Sequence, residues 1–66
     1  MMIRIGKKFK PTFPGSGIDH FEVIQVDEKW VHTKVYPKEG ECYPFEDKIE
    51  KDICESALNI GEYVYI

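Results

Sequence analysis

The segment KWVHTKVYP, residues 29–37, alternates between apolar and polar side chains, and this period of two predicts a β-strand. Val31, Thr33 and Val35 fall on one face of the strand. The opposite face has Lys34 near its centre, and lysine is among the residue types least easily buried. We therefore predict that the valine face is directed toward the interior and that the lysine face meets solvent.

The preceding segment HFEVIQV, residues 20–26, is rich in β-branched and aromatic residues and predicts a second strand. The residues DEK between the two segments predict a tight reversal, so the two strands form a central hairpin. A regular alternation puts three side chains of this strand on one face: Phe21, Val23 and Gln25. It puts three on the other: Glu22, Ile24 and Val26. Neither face is cleanly polar, which fits a bent strand that is covered on both sides for part of its length.

Another strand is predicted at residues 3–9, IRIGKKF, where Ile3 and Ile5 share one face. The next residues, 10–19, contain two prolines and two glycines and predict a loop that is long for so small a protein. We expect Phe13 to attach this loop to the body of the domain.

A fourth, weaker strand is predicted at residues 41–46, after a reversal that contains Gly40. Pro44 has no amide donor, so this strand should lie at a sheet edge or be interrupted there. The last strand is EYVYI, residues 62–66. An apolar terminal strand is an aggregation hazard if its edge stays open, and we expect it to pair with the first strand.

Between the last two strands, the sequence predicts a helix from Asp47 to Leu58, with Asp47 as its N-terminal cap. The residues predicted to form its buried stripe are Ile49, Ile53, Ala57 and Leu58. Asn59 is suited to a left-handed cap at the C-terminal end. A helix this short is marginal alone, so it must dock on the sheet.

The order of these elements resembles the SH3-like small barrel shared by SH3, Tudor and KOW-type modules. The shared layout is a strand, a long loop, a three-stranded meander, a short helical segment and a last strand. The resemblance implies a mainly β fold, a five-stranded barrel with one short helix before the last strand, in a single domain over residues 1–66. The chain has KKFKPTF where peptide-binding SH3 domains carry an ALYDY-like signature, so the resemblance implies no particular ligand.

A chain of 66 residues hides only about 60% of the surface that its unfolded form exposes. Most of its interior is needed for packing, which favours a shallow groove over an enclosed active site. The net charge is −3, and it is unevenly distributed. The first ten residues carry four basic side chains and no acidic one, whereas the C-terminal half is acidic. The acidic half argues against generic binding to nucleic acid.

Cys42 and Cys54 are the only cysteines. The N-terminal residues contain no apolar run long enough for a signal peptide, and no stretch approaches the length of a membrane span. These features predict a cytoplasmic protein with reduced thiols. A disulfide between the two cysteines is the alternative for a secreted fragment.

The histidines His20 and His32 and the cysteines Cys42 and Cys54 are the types that bind zinc, but each pair is far wider than the short spacings of zinc knuckles. We therefore predict no metal and no other cofactor. Each cysteine has a glutamate beside it, which favours the neutral thiol over the nucleophilic thiolate. The sequence therefore predicts a protein that is not an enzyme.

The solvent-directed face of the 29–37 strand is the one candidate binding surface. It carries two aromatic residues, and Trp and Tyr dominate the energetics of many interfaces. The candidate ligand-binding residues are Trp30, His32, Lys34, Tyr36 and, across the next reversal, Tyr43. Tyr43 and Phe45 share a face of the fourth strand and are predicted to lie beside Tyr36 or Trp30. Two interpretations stay open: a contact surface, or a second packing layer beneath the helix or the first loop.

We predict a small interaction module that binds a protein partner, either another protein or a second copy joined through edge strands. The first alternative is a single-stranded nucleic-acid binder that uses the same aromatic residues. Its phosphate contacts would be Arg4, Lys7, Lys8 and Lys10. The second alternative is a structural component that acts through homo-oligomerisation.

Overall fold

A computed structural model describes residues 3–38 and 43–66 of the chain. The fold is mainly β, with five strands and one helix. In chain order these are β1 (Lys8–Pro11), β2 (Ile18–Val26), β3 (Trp30–Pro37), β4 (Phe45–Glu50), α1 (Lys51–Ile60) and β5 (Tyr63–Tyr65).

The five strands form one antiparallel sheet in the order β4-β3-β2-β1-β5. β2 and β3 form the predicted central hairpin, and β1 pairs with β5, so the predicted pairing of the first and last strands is confirmed. β4 and β5 are the two edges of the sheet, and no pairing joins them in the described part of the chain. The sheet is therefore open, and the closed barrel stays a prediction.

The hydrophobic core lies on one face of the sheet, between the sheet and α1. Val31, Thr33 and Val35 of β3 are all buried, which confirms the predicted direction of the valine face. The core cluster consists of Ile3, Phe9, Phe21, Val23, Val31, Val35, Cys54 and Leu58. Two of its members, Cys54 and Leu58, belong to α1, so the helix covers this inner face of the sheet.

The first strand begins at Lys8, so the prediction of a strand over residues 3–9 is wrong for its first five residues. Gly6 has a φ of 90°, a left-handed conformation that glycine adopts without steric cost. The amide of Gly6 donates to the carbonyl of Val23 and the amide of Val23 donates to the carbonyl of Lys7, so Gly6 and Lys7 lie opposite one residue of β2, as in a β-bulge. Ile3 is buried in the core and Ile5 is exposed, so the two do not share a face. The turn at Gly6 separates them.

β2 contains an irregularity at Ile24 that changes which side chains face the core. Val23 pairs with Thr33 and Gln25 pairs with His32, so Ile24 has no partner on β3. This extra residue reverses the alternation that follows it. Val26 accordingly packs against the core and Gln25 is exposed, opposite to the regular alternation predicted from the sequence.

The fourth strand extends to Glu50, and the predicted helix start at Asp47 is wrong. Asp47 lies in β4 opposite Thr33, and the residue that caps the helix is Glu50, which makes no side-chain capping bond. Pairing with β3 supplies the backbone hydrogen bonds of this segment. The amide of Lys51 then donates to the carbonyl of Lys29, at 2.8 Å, where the strand passes into the helix.

The later start of the helix changes its buried stripe. Cys54, Ala57 and Leu58 are buried, whereas Ile53 is 57% exposed and faces solvent. Ile49, the other isoleucine predicted for the stripe, lies in β4. The predicted stripe is therefore wrong at Ile53 and confirmed at Ala57 and Leu58, while Ile49 packs against the core from β4 instead of from the helix.

The helix ends at Gly61 rather than at the predicted Asn59 cap. Gly61 has a φ of 86°, and the amide of Glu62 donates to the carbonyl of Ala57 at 2.9 Å. Asn59 lies inside the helix, and no residue other than glycine has a positive φ in the described ranges. Glycine takes this position because it has no Cβ to clash.

Candidate binding face

The outer face of the sheet is defined as the side opposite α1. On β3 it presents Trp30, His32, Lys34 and Tyr36, whose neighbours in the sequence are the buried core residues of the same strand. The strands on either side add His20 and Glu22 from β2 and Glu46, Lys48 and Glu50 from β4. The helix packs on the inner face, so it does not cover these side chains. The side-chain contacts recorded for Trp30 and Tyr36 come from the sheet itself.

At one end of the outer face, Trp30 is half-buried beneath a lysine. The Nζ atom of Lys48 lies 4.3 Å from the centre of the Trp30 ring, within the range of a cation–π interaction. Lys48 pairs with His32 across β3 and β4, so the strand register brings the lysine alongside the indole. This contact orients the ring while part of it stays accessible.

The backbone of Trp30 is held by Asp27 in the turn between β2 and β3. One carboxylate oxygen, Oδ1, accepts from the amides of Lys29 at 3.0 Å and Trp30 at 2.8 Å. The other, Oδ2, lies 2.9 Å from Nε2 of His32. The hydrogen bond from His32 and those from the two amides lower the pKa of Asp27 from its ordinary 3.8 to about 2.

A titration is expected to show this lowered pKa. Because the folded pKa lies below the unfolded one, the carboxylate stabilises the fold above about pH 4, and this stabilisation is lost as pH falls from about 4 to about 2. Carbon-13 NMR of the Asp27 carboxyl measures the pKa directly. His32→Leu, which has no hydrogen-bond donor in its side chain, should raise the pKa toward 3.8, because the histidine bond is the largest cause of the shift. A wild-type value near 3.8 would contradict the turn geometry.

At the other end of the outer face, Tyr36 stacks on His20. The two ring centres are 4.4 Å apart with an interplanar angle of 14°. The hydroxyl of Tyr36 donates to Oε1 of Glu22 at 3.1 Å, and Nζ of Lys34 lies 5.6 Å from the ring centre. Nδ1 of His20 lies 2.6 Å from Oδ2 of Asp19. The tyrosine is thereby held in one orientation and is half-buried.

Sequence reasoning missed Asp27, His20 and Glu22 as parts of this face. An Asp at the start of a tight reversal is a known signal of a turn held by its side chain, because the carboxylate can accept hydrogen bonds from the amides two and three residues later. The register of the hairpin also pairs His20 with Tyr36 and Glu22 with Lys34. That register depends on the bulges in β2, which the sequence pattern did not indicate.

Tyr43 and Phe45 do not join the aromatic residues of the outer face in the way predicted. Phe45 pairs with Val35, so its side chain is on the inner side of the sheet, and that part of the prediction is wrong. Tyr43 lies just before β4 and is 90% exposed. Within the described residues no ring contact joins it to Tyr36 or Trp30.

The basic residues predicted as a phosphate-contacting stripe occupy different surroundings. They are Arg4, Lys7, Lys8 and Lys10. Lys8 is on the outer face opposite Glu22, and Lys10 lies opposite Val64. Lys7 instead lies with its Nζ 5.6 Å from the ring centre of Tyr65, whose strand partner is the buried Phe9. Arg4 lies in the segment before β1. On the outer face, Lys8 therefore has the acidic Glu22 beside it on the neighbouring strand.

The cysteine and the two histidines that the structure describes lie on opposite sides of the sheet. Cys54 is a free thiol in the core, where burial, and then the charge of Glu55, raise its pKa to about 11. His20 and His32 lie on the outer face. Cys42 lies outside the described residues. Over residues 3–38 and 43–66, no group of three or more His, Cys, Asp or Glu side chains is placed to hold a metal ion.

No known protein family, curated protein or solved structure matches this chain. In the part of the chain that the structure describes, no helix is long and apolar enough to cross a membrane.

Proposed function

We propose that this chain is a small non-enzymatic interaction module that binds a protein partner through its outer face. The observation that carries the proposal is the position of Trp30 and Tyr36, on the side of the sheet opposite α1 and outside the core cluster. Trp and Tyr are among the residue types that most often anchor interfaces, so two such half-buried rings outside the core on one face of the sheet favour a role in binding.

The surroundings of both rings support this role. Lys48 lies over Trp30, and His20 and Glu22 hold Tyr36, so each ring has a defined orientation before any partner arrives. A side chain that is already ordered loses less conformational entropy on binding. The outer face therefore offers two pre-oriented aromatic anchors with charged groups between them.

We also propose an SH3-like layout and a cytoplasmic location for this chain. The strand order, with β1 between β2 and β5, and the contacts of α1 with β3, β4 and β5 support a barrel-like arrangement in which the helix spans the two sheet edges. The free thiol of Cys54 fits a reducing compartment.

Peptides selected from a random display library on the wild-type domain test the binding role. We expect their affinity to fall about thirty-fold in Trp30→Ala, the effect of losing an interface anchor worth about 2 kcal/mol. The matched control is Phe13→Ala, an aromatic truncation in the first loop, which should bind as wild type does. Affinity is measured by fluorescence polarisation of labelled peptides.

The emission of Trp30, the only tryptophan, provides a second readout because it should shift when a peptide occupies the face. Peptides that bind Trp30→Ala as tightly as wild type would overturn the proposal. Oligo-dT that binds at low salt, and weakens steeply as salt rises, would instead favour the nucleic-acid alternative.

A further inference from the structure

A row of alternating charges crosses four strands on the outer face. Lys8 of β1 pairs with Glu22 of β2, Glu22 pairs with Lys34 of β3, and Lys34 pairs with Glu46 of β4. Read from β4 to β1, the row is acidic, basic, acidic and basic. We call these four residues the charge row. Three of them are exposed and Glu22 is half-buried.

The members of the charge row are not joined to one another by ion pairs. No carboxylate oxygen of the charge row lies within 4.0 Å of a lysine nitrogen of the row, and the two histidine–carboxylate contacts lie outside it. Glu22 instead accepts from the hydroxyl of Tyr36, and Nζ of Lys34 lies over the Tyr36 ring. The charges of the row are therefore close together without being neutralised by ion pairs to one another, and three of the four side chains are exposed to an incoming surface.

An alternating row of four charges is complementary to itself. A twofold axis that runs parallel to the strands, midway between β2 and β3, reverses the row in the second copy. Lys34 then meets Glu22 of the second copy, and Glu46 meets Lys8 of the second copy. A twofold axis perpendicular to the strands would set Lys34 against Lys34, so the charges select one orientation.

We propose that the partner of the outer face is a second copy of this chain, bound face to face about the strand-parallel axis. This inference rests on the proposed function and identifies its partner. The same axis places Tyr36 opposite His20 of the second copy, the pair of rings that already stack within one chain. It also keeps the strands of the two sheets aligned, which is the common geometry of packed sheets.

Edge-to-edge pairing is the competing route to a dimer, and the exposed edge of β4 opposes it. This strand carries Glu46, Asp47, Lys48 and Glu50 in six residues, and charged side chains on an edge discourage pairing with another chain. The molecule measures 34 × 22 × 17 Å, so its largest face spans about 750 Å² in projection, close to the roughly 800 Å² that each partner buries in a standard interface. The dimer should therefore be weak and depend on concentration.

The test is a charge-swap experiment read by sedimentation velocity between about 10 μM and 1 mM, the range in which weak complexes dissociate. Wild type should dimerise over this range. In Lys34→Glu, the new glutamate meets Glu22 of the second copy, so two acidic groups face each other. In Glu22→Lys, the new lysine meets Lys34 of the second copy, so two basic groups face each other. Both variants should be monomeric. An equimolar mixture of the two variants restores every opposite-charge pair and should form a heterodimer.

Lys29→Glu is the matched control, because it makes the same charge change in the β2–β3 turn, away from the charge row. It should dimerise as wild type does, and circular dichroism checks that every variant is folded. A monomeric wild type at 1 mM, or single variants that dimerise as wild type does, would overturn the inference. A mixture that stays monomeric would also overturn it.

Failure of this inference is distinguishable from failure of the proposed function. If wild type is monomeric while selected peptides still depend on Trp30, the outer face binds protein but not a second copy. If peptides bind independently of Trp30 while the charge swap still controls dimerisation, the dimer stands and the aromatic anchors do not.

Discussion

Replacing Phe9 with alanine is expected to lower the free energy of unfolding by about 3–5 kcal/mol, the usual cost of removing a buried phenylalanine ring. The Phe9 side chain is fully buried, and its ring centre lies 4.9 Å from that of Phe21 and 5.2 Å from that of Tyr63. It thus joins β1, β2 and β5 in one aromatic cluster. Stability of about 0.05–0.15 kcal/mol per residue gives a 66-residue domain roughly 3–10 kcal/mol in all, so Phe9→Ala should remove from about a third to all of the free energy of unfolding.

Urea denaturation followed by circular dichroism measures this effect. Phe13→Ala is the matched control, since it removes the same ring from a side chain that is 50% exposed in the first loop. We expect it to cost less than about 1 kcal/mol. Equal losses of unfolding free energy in Phe9→Ala and Phe13→Ala would mean that Phe9 does not lie in the core.

Replacing Leu58 with alanine is expected to cost about 2–5 kcal/mol, because Leu58 is 7% exposed and is the largest side chain that α1 contributes to the core. The helix packs on the inner face mainly through this residue, Cys54 and Ala57. Its loss would leave a cavity beneath the helix. Thermal and urea unfolding should both shift toward lower stability.

Ile53→Ala is the control for Leu58→Ala within the same helix. Ile53 is mostly exposed, and its truncation should cost less than about 1 kcal/mol. A helix that began at Asp47, with the stripe predicted from sequence, would make Ile53 a core residue. A larger loss from Ile53→Ala than from Leu58→Ala would therefore contradict the observed helix docking.

The two proposals assign different tasks to neighbouring parts of the outer face. Trp30 and Tyr36 supply apolar contact area, while the charge row determines which surface can approach and in which orientation. Charge complementarity generally contributes more to specificity than to affinity. We therefore expect charge reversals in the row to change the choice of partner and aromatic truncations to change the strength of binding.

The central hairpin and the direction of β3 could be predicted from the residue pattern alone. Buried Val31 and Val35 alternate with Lys34, and only one side of such a strand can be placed in a core without burying an unpaired ammonium group. The pairing of β1 with β5 also followed from the sequence, because an apolar strand whose edge would otherwise stay open needs a neighbour. These inferences depend on the local alternation of apolar and polar residues and on the free-energy cost of exposing or burying the side chains of one strand.

The residue at which β4 ends and α1 begins depends on pairing with β3 and could not be predicted from local propensity. The sequence from Asp47 to Glu50 has the capping residues and spacing of a helix start, but pairing with β3 satisfies its backbone in extended form instead. Tertiary context overrides local helix propensity because one hydrogen-bonded ladder outweighs differences of a few tenths of a kcal/mol per residue. The bulge at Ile24 could not be predicted from the sequence pattern either. A single unpaired residue reverses which side of the sheet the later side chains of the strand face. The outer face, with Glu22 beside Lys34 and His20 beneath Tyr36, exists only because non-local strand register brings these residues together.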